Sequence, residues 1–153
     1  MIDINAEKER WLGTFIYMLG DRDFLEAINK LIALKGPGFQ GAGFHFKDYF
    51  FDDEEEYGLF EPSTLMLGVD CPPIPRPYTK GLIYIMPYRY FYNKLDEHIR
   101  VTYSKEHPER LAEVSTLMER LYDAFNLGEK DPGIWEPYIV ELPDEIRVLG
   151  RWV

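Results

Sequence analysis

The residues of this chain best suited to chemistry lie together in residues 36–61. His45, Lys47 and Asp48 place an imidazole, an amine and a carboxylate close in sequence, and an acidic run follows at residues 52–56. An imidazole beside carboxylates suits general acid–base catalysis, and clustered carboxylates suit hard cations. A small carboxylate-dependent enzyme, metal-assisted or not, is therefore one interpretation of this stretch.

The spacing of these residues does not favour that interpretation. Phe44 and Phe46 alternate with His45 and Lys47, which predicts a strand with an apolar face and a polar face. The acidic run lacks the spaced ligands and central glycine of a calcium-binding loop. The sequence also contains no nucleophile elbow, zinc-binding HExxH or phosphate-loop motif. We predict no catalytic residue, no metal site and no cofactor.

Aromatic residues on both sides of the acidic run favour a protein-binding surface instead. Aromatic side chains supply the anchors of an interface, while carboxylates around them steer a cationic partner. The alternative is that the aromatic residues pack under the loop and the acids are only solvated. The predicted partner-binding residues are Asp48, Asp52, Asp53, Glu54, Glu55, Glu56, Tyr57, Phe60 and Glu61.

The composition predicts one acidic domain. The 153 residues, 46% of them hydrophobic, fit a single domain over 1–153. A net charge of −10 disfavours nucleic acid as a partner and favours a basic protein surface. The lone Cys71 is predicted to pack as a small apolar residue. No signal-like N-terminus and no apolar run of about 18 residues is present, so we predict a cytoplasmic protein without a membrane contact.

Four amphipathic helices are predicted around this stretch. The first spans Ala6–Leu19 and stops at Gly20, and the second begins at an Asp23 N-cap with Glu26 three residues later. We expect these two helices to form a hairpin, with the second running until the Gly-Pro-Gly at residues 36–38. The third helix is predicted over Pro87–Tyr103, and the fourth from Pro108 through Phe125. His98 and His107 are expected at surface or capping positions.

Short strands are predicted between and after the helices. The candidate segments are 58–60, 64–69 and 82–85, with one or two more between Ile134 and Leu149, and the Pro-rich segment 71–77 is expected to form an extended connector. We expect residues 36–43 to form an irregular glycine-rich turn. The predicted class is α+β, with an N-terminal helical hairpin, a small largely antiparallel sheet and two further helices packed on it.

The order of these features resembles the immunity proteins of bacterial contact-dependent growth inhibition systems, in the group paired with ribonuclease toxins. The resemblance extends over roughly Trp11 to Phe125. It rests on the N-terminal helical pair, GFQGAGFHF at Gly38–Phe46, the acidic-aromatic stretch leading to YGLF at Tyr57–Phe60, the helix with Phe91 and Leu95, and Tyr103 followed by His107-Pro108-Glu109.

The resemblance implies a cytoplasmic protein that binds the nuclease domain of a cognate toxin stoichiometrically and blocks its active site or substrate groove without turnover. A nuclease attracts its substrate with cations, so an acidic aromatic surface would complement it. Two alternatives stay open: a carboxylate-dependent enzyme, metal-assisted or not, that uses His45, Asp48 and the acidic run, and an acidic adaptor that binds a protein other than a nuclease.

Overall fold

The computed structural model describes residues 4–20, 23–39, 41–50, 54–70, 81–129 and 133–153. The chain divides into two compact units, of which unit 1 comprises residues 1–37 and 88–130 and unit 2 comprises residues 38–87 and 131–153. The predicted α+β class is confirmed, since unit 1 contains the long helices and unit 2 contains a six-stranded sheet. The expectation of a single domain over 1–153 stays a prediction.

The elements follow one another along the chain as helices and strands of very different length. The helices are α1 (Ile4–Gly20), α2 (Phe24–Ile32), α3 (Glu54–Tyr57), α4 (Tyr88–His98), α5 (Ser104–Glu106) and α6 (Leu111–Ala124). The strands are β1 (Gly38–Phe39), β2 (Ala42–His45), β3 (Thr64–Val69), β4 (Gly81–Pro87), β5 (Trp135–Glu141) and β6 (Glu145–Trp152). A π-helical segment (Ile99–Tyr103) follows α4, and 3-10 turns lie at Lys47–Phe50 and Pro108–Arg110.

Helix α2 begins as predicted and ends earlier than predicted. The Asp23 carboxylate accepts a hydrogen bond from the Glu26 N–H at 3.1 Å, which confirms the N-cap. The helix stops at Ile32 because Leu34 adopts a φ of +55° and the Lys35 N–H donates to the Lys30 carbonyl at 2.8 Å. This is a Schellman termination with leucine in the left-handed position. The prediction that the helix continues to residues 36–38 is therefore wrong.

The third predicted helix begins at Tyr88, one residue later than predicted, because Pro87 is the last residue of β4. Its predicted end at Tyr103 coincides with the end of the π-helical segment. His98, expected at the surface, is half-buried, and its ring lies edge-on to Tyr17 and Phe24 with centroids 5.9 Å apart in both pairs. Burial lowers the pKa of His98, against the opposing effect of the Glu106 carboxylate.

The sheet of unit 2 has the strand order β1-β2-β3-β4-β6-β5. All its pairings are antiparallel except that of β4 with β6, so the largely antiparallel prediction is confirmed. Residues 36–43 include the β1–β2 hairpin, where Gly41 takes a φ of +78°, and are not merely an irregular turn. Two strands form after residue 134, as predicted.

One predicted strand is wrong, and one predicted connector lies outside the described residues. Residues 58–60 form a turn after α3, and two backbone hydrogen bonds, Leu59 N–H to the Glu56 carbonyl and Phe60 N–H to the Tyr57 carbonyl, close it. The Pro-rich segment 71–77, with Cys71, lies outside the described residues. No helix in the described ranges is both long and apolar enough to cross a membrane.

Candidate functional site

The acidic-aromatic stretch folds into short helical pieces of unit 2. The 3-10 turn Lys47–Phe50 follows β2, and α3 contains the last three acidic residues of the run together with Tyr57. A four-residue helix has little stability of its own, because helix nucleation costs more than one turn of hydrogen bonds returns. Tertiary contacts must therefore hold α3 in place.

An ion pair with a buried arginine is the first of these contacts. Arg147 lies on β6 and is only 9% exposed. Its Nη2 is 3.0 Å from Glu56 Oε1, and its Nε donates to the Glu145 carboxylate. Desolvating a guanidinium group costs several kcal/mol, and attraction to paired carboxylates offsets that cost. Glu56 thus connects α3 to β6 of the sheet.

Phe60 supplies the second contact. Its side chain is 6% exposed and belongs to a buried cluster with Met66, Ile85 and Leu149, one residue from each of three strands. Burying a phenylalanine side chain contributes about 1.5–3 kcal/mol. The predicted contact residue Phe60 is therefore part of the core of unit 2, and its ring is not presented to a partner in this conformation.

Three other predicted residues remain accessible. Asp48 and Glu55 are exposed, and Tyr57 is 39% exposed. The ammonium group of Lys47 lies 4.4 Å from the centroid of the Tyr57 ring, which is a cation–π contact. We refer to Lys47, Asp48, Glu55 and Tyr57 as the Tyr57 surface. It combines two carboxylates, one accessible aromatic ring and one cation.

The remaining predicted residues are less informative. Glu61 is half-buried, and its carbonyl accepts a hydrogen bond from the Thr64 hydroxyl at 2.7 Å. Asp52 and Asp53 lie outside the described residues, and Glu54 is the first residue of α3. The assignment of all nine residues to partner binding stays a prediction. Among them, the structure shows that Asp48, Glu55 and Tyr57 are exposed and that Phe60 is buried.

His45 ends β2 and lies on the polar side of the alternation, as predicted, while Phe44 and Phe46 are buried. A Cβ built on Gly43 would lie 3.3 Å from His45 Nε2, so the imidazole packs closely over this strand neighbour. Burial lowers the pKa of His45, which favours the neutral imidazole at pH 7. Within the described ranges, no three His, Cys, Asp or Glu residues are grouped so that they could hold a metal ion.

Sequence reasoning missed the role of Arg147. The available signal was its position in the run Ile146-Arg147-Val148-Leu149, where one charged residue stands among three apolar residues. A charge inside a buried strand needs a partner of opposite sign. Nothing local in the sequence indicates that the partner is Glu56, which lies 91 residues away.

The comparison with protein families identifies the chain. A family model described as CDI immunity protein, for contact-dependent growth inhibition, matches residues 8–118. The chain belongs to this family. The matched residues include the Tyr57 surface and α3, and they end before β5 and β6. Comparisons with curated proteins and with solved structures gave no match.

Membership in the CDI immunity family assigns an immunity function to the chain, and that function implies binding to a cognate toxin. The resemblance inferred from the sequence is thereby confirmed at the level of the family.

Proposed function

We propose that this CDI immunity protein neutralises a nuclease toxin, in particular a ribonuclease, by stoichiometric occlusion of its active site or substrate groove. The observation that carries the proposal is the Tyr57 surface, in which Asp48, Glu55 and an aromatic ring are all exposed on two elements in contact, the 3-10 turn and α3. The pairing of Glu56 with Arg147 supports it, because a rigidly held surface loses less entropy on binding.

The charge of the chain supports a basic partner. A nuclease binds the phosphate backbone of its substrate through clustered Lys and Arg side chains. An immunity protein with a net charge of −10 is attracted to such a groove and repelled by the nucleic acid that the groove normally holds. We propose that this encounter occurs in the cytoplasm, with neither nucleic acid nor membrane as a partner.

Different residues of the surface have different proposed roles. Asp48 and Glu55 are exposed, so they steer association and contribute little to the lifetime of the complex. Tyr57 is the proposed anchor, since it can transfer a large apolar area out of water. Truncating such an anchor typically costs about 2 kcal/mol of binding free energy or more.

Titration of the toxin tests the proposal. The toxin domain encoded by the neighbouring upstream gene is mixed with increasing amounts of this protein, and cleavage of RNA is followed. We expect activity to fall in proportion to added protein and to vanish at one molar equivalent, with the toxin released chemically intact after denaturation. A toxin without nuclease activity, or one still active with excess protein, contradicts the proposal.

A matched pair of tyrosine variants tests the location of the contact. Tyr57→Ala removes the proposed anchor, whereas Tyr138→Ala removes a tyrosine that is 48% exposed on β5 of the same unit. We expect Tyr57→Ala to weaken binding at least about 30-fold, the equivalent of about 2 kcal/mol, and Tyr138→Ala to leave the Kd nearly unchanged. The reverse result would move the contact to β5.

A further inference from the structure

We propose that the face of the Tyr57 ring is a binding subsite for a lysine or arginine side chain of the toxin, and that Lys47 occupies this subsite in the free protein as an internal competitor. The inference rests on the proposed function and adds a specificity-determining residue to it. It predicts that removing Lys47 strengthens the complex.

The free protein already holds a cation on the ring. Lys47 Nζ lies 4.4 Å from the ring centroid, within the distance of about 6 Å at which the ring quadrupole attracts a cation. The acidic neighbours Asp48 and Glu55 are exposed, yet Lys47 forms no ion pair within 4.0 Å in the part of the chain that the structure describes. Among the described residues, the Tyr57 ring is therefore the partner of this ammonium group.

The two members of the contact differ in how firmly they are held. Tyr57 ends α3, which the pair between Glu56 and the buried Arg147 connects to the sheet. Lys47 is exposed at the start of a 3-10 turn, and its ammonium group is at the end of a flexible four-carbon stem. Lys47 can thus move into water while the ring stays in place.

Replacement of Lys47 on the ring by a cation of the toxin would give a net gain in binding free energy. A guanidinium group stacks on an aromatic face and is more weakly hydrated than an ammonium group, so it loses less on leaving water. The contact strengthens when an interface excludes water, whereas the internal contact with Lys47 is solvated. The binding of the toxin must nevertheless displace Lys47, and that displacement reduces the affinity.

The test compares Lys47→Met, Lys47→Arg and the wild-type protein against the toxin domain at about 1 M salt, where the Debye length is about 3 Å and long-range attraction is screened. We expect Lys47→Met to bind about two- to five-fold more tightly, which corresponds to an exposed cation–π contact. Lys47→Arg retains a cation on the ring and should bind no more tightly than the wild type. Lys35→Met, which removes an exposed lysine from unit 1, should leave the Kd unchanged.

A double variant separates the displacement of Lys47 from the ring from the effect of removing its positive charge. In a Tyr57→Leu background the ring is absent, so Lys47→Met should no longer tighten binding. An equal gain in both backgrounds, or no gain in the wild-type background, overturns the inference. Failure of the proposed function has a different signature, because wild-type protein would then leave RNA cleavage intact, and the inference would fall with it.

Discussion

At the scale of single residues, two arginines on β6 illustrate how burial decides how much stability is lost when an ion pair is broken. Arg147 is buried and pairs with Glu56 at 3.0 Å, and Arg151 is exposed and pairs with Glu136 at 3.8 Å. A buried pair that loses one partner leaves an uncompensated charge, whereas an exposed pair is replaced by water. The two residues should therefore respond very differently to the same substitution.

We expect Arg147→Met to lower the free energy of unfolding by about 3 kcal/mol, because the carboxylates of Glu56 and Glu145 lose their cation in a poorly solvated position. The matched variant Arg151→Met should change it by less than about 0.5 kcal/mol. Urea denaturation of both variants measures the difference. Similar losses for the two would mean that the pair with Glu56 does not hold α3.

A second prediction concerns His98. Its pKa is lowered by burial, so the folded state binds fewer protons than the unfolded state, in which the pKa is about 6.5. Burial of the neutral His98 imidazole therefore makes a contribution to stability that depends on pH. The contribution is fully present above about pH 6.5, and it is lost as the pH falls through the lowered pKa that His98 has in the folded state. The effect of burial on His45 has the same sign.

We expect the free energy of unfolding to decrease between pH 7 and pH 5, and His98→Gln to reduce that slope. Urea denaturation at several pH values in this window measures it, and the slope, not the absolute stability, is the readout. A variant in which the slope equals that of the wild type would show that protonation of His98 is not coupled to unfolding.

At the scale of elements, the β5–β6 hairpin depends on a glycine. A Cβ built on Gly150 of β6 would overlap the indole of Trp135 on β5. The same indole forms an edge-to-face contact with Trp152, with ring centroids 5.1 Å apart. The tryptophan pair can lie across the hairpin only because position 150 has no side chain.

We expect Gly150→Ala to destabilise the protein by about 1–3 kcal/mol through overpacking, and to change tryptophan fluorescence. Gly13→Ala is the matched control, because Gly13 lies within α1 and a Cβ there meets nothing within 4 Å. Alanine is the better helix former, so this variant should gain about 0.5–1 kcal/mol. Equal effects of the two substitutions on stability would contradict the packing of Trp135 over Gly150.

At the scale of the whole molecule, the net charge of −10 should act mainly on the rate of association. We expect the double variant Asp48→Asn/Glu55→Gln to associate with the toxin several-fold more slowly at low salt, and at nearly the wild-type rate at about 1 M salt. Glu56 is left unchanged, because its neutralisation would also break the pair with Arg147. Stopped-flow mixing at two salt concentrations measures the rates.

The control for this prediction is Glu113→Gln/Asp123→Asn, which removes two exposed acids from α6 of unit 1. It changes the net charge by the same amount and should slow association less. If both double variants were slowed equally, association would depend on the total charge and not on the Tyr57 surface.

The sequence by itself determined the features that depend on neighbours along the chain. The Asp23 cap, the strand Thr64–Val69 and the alternation around His45 were predicted correctly, because periodicity and capping act over a few residues. The family was also evident from the order of motifs along roughly Trp11 to Phe125, and the family model matches residues 8–118. The composition was enough to predict a basic partner, which remains a prediction.

Only the tertiary structure decided which residues of the candidate site are accessible. Phe60 and Tyr57 are both aromatic and three positions apart, yet one belongs to the core of unit 2 and the other is exposed. Likewise Glu55 and Glu56 are adjacent acids, and only Glu56 pairs with Arg147, 91 residues away. Burial and ion pairing arise from contacts between distant segments, and local residue patterns carry no information about which distant segment will be the neighbour.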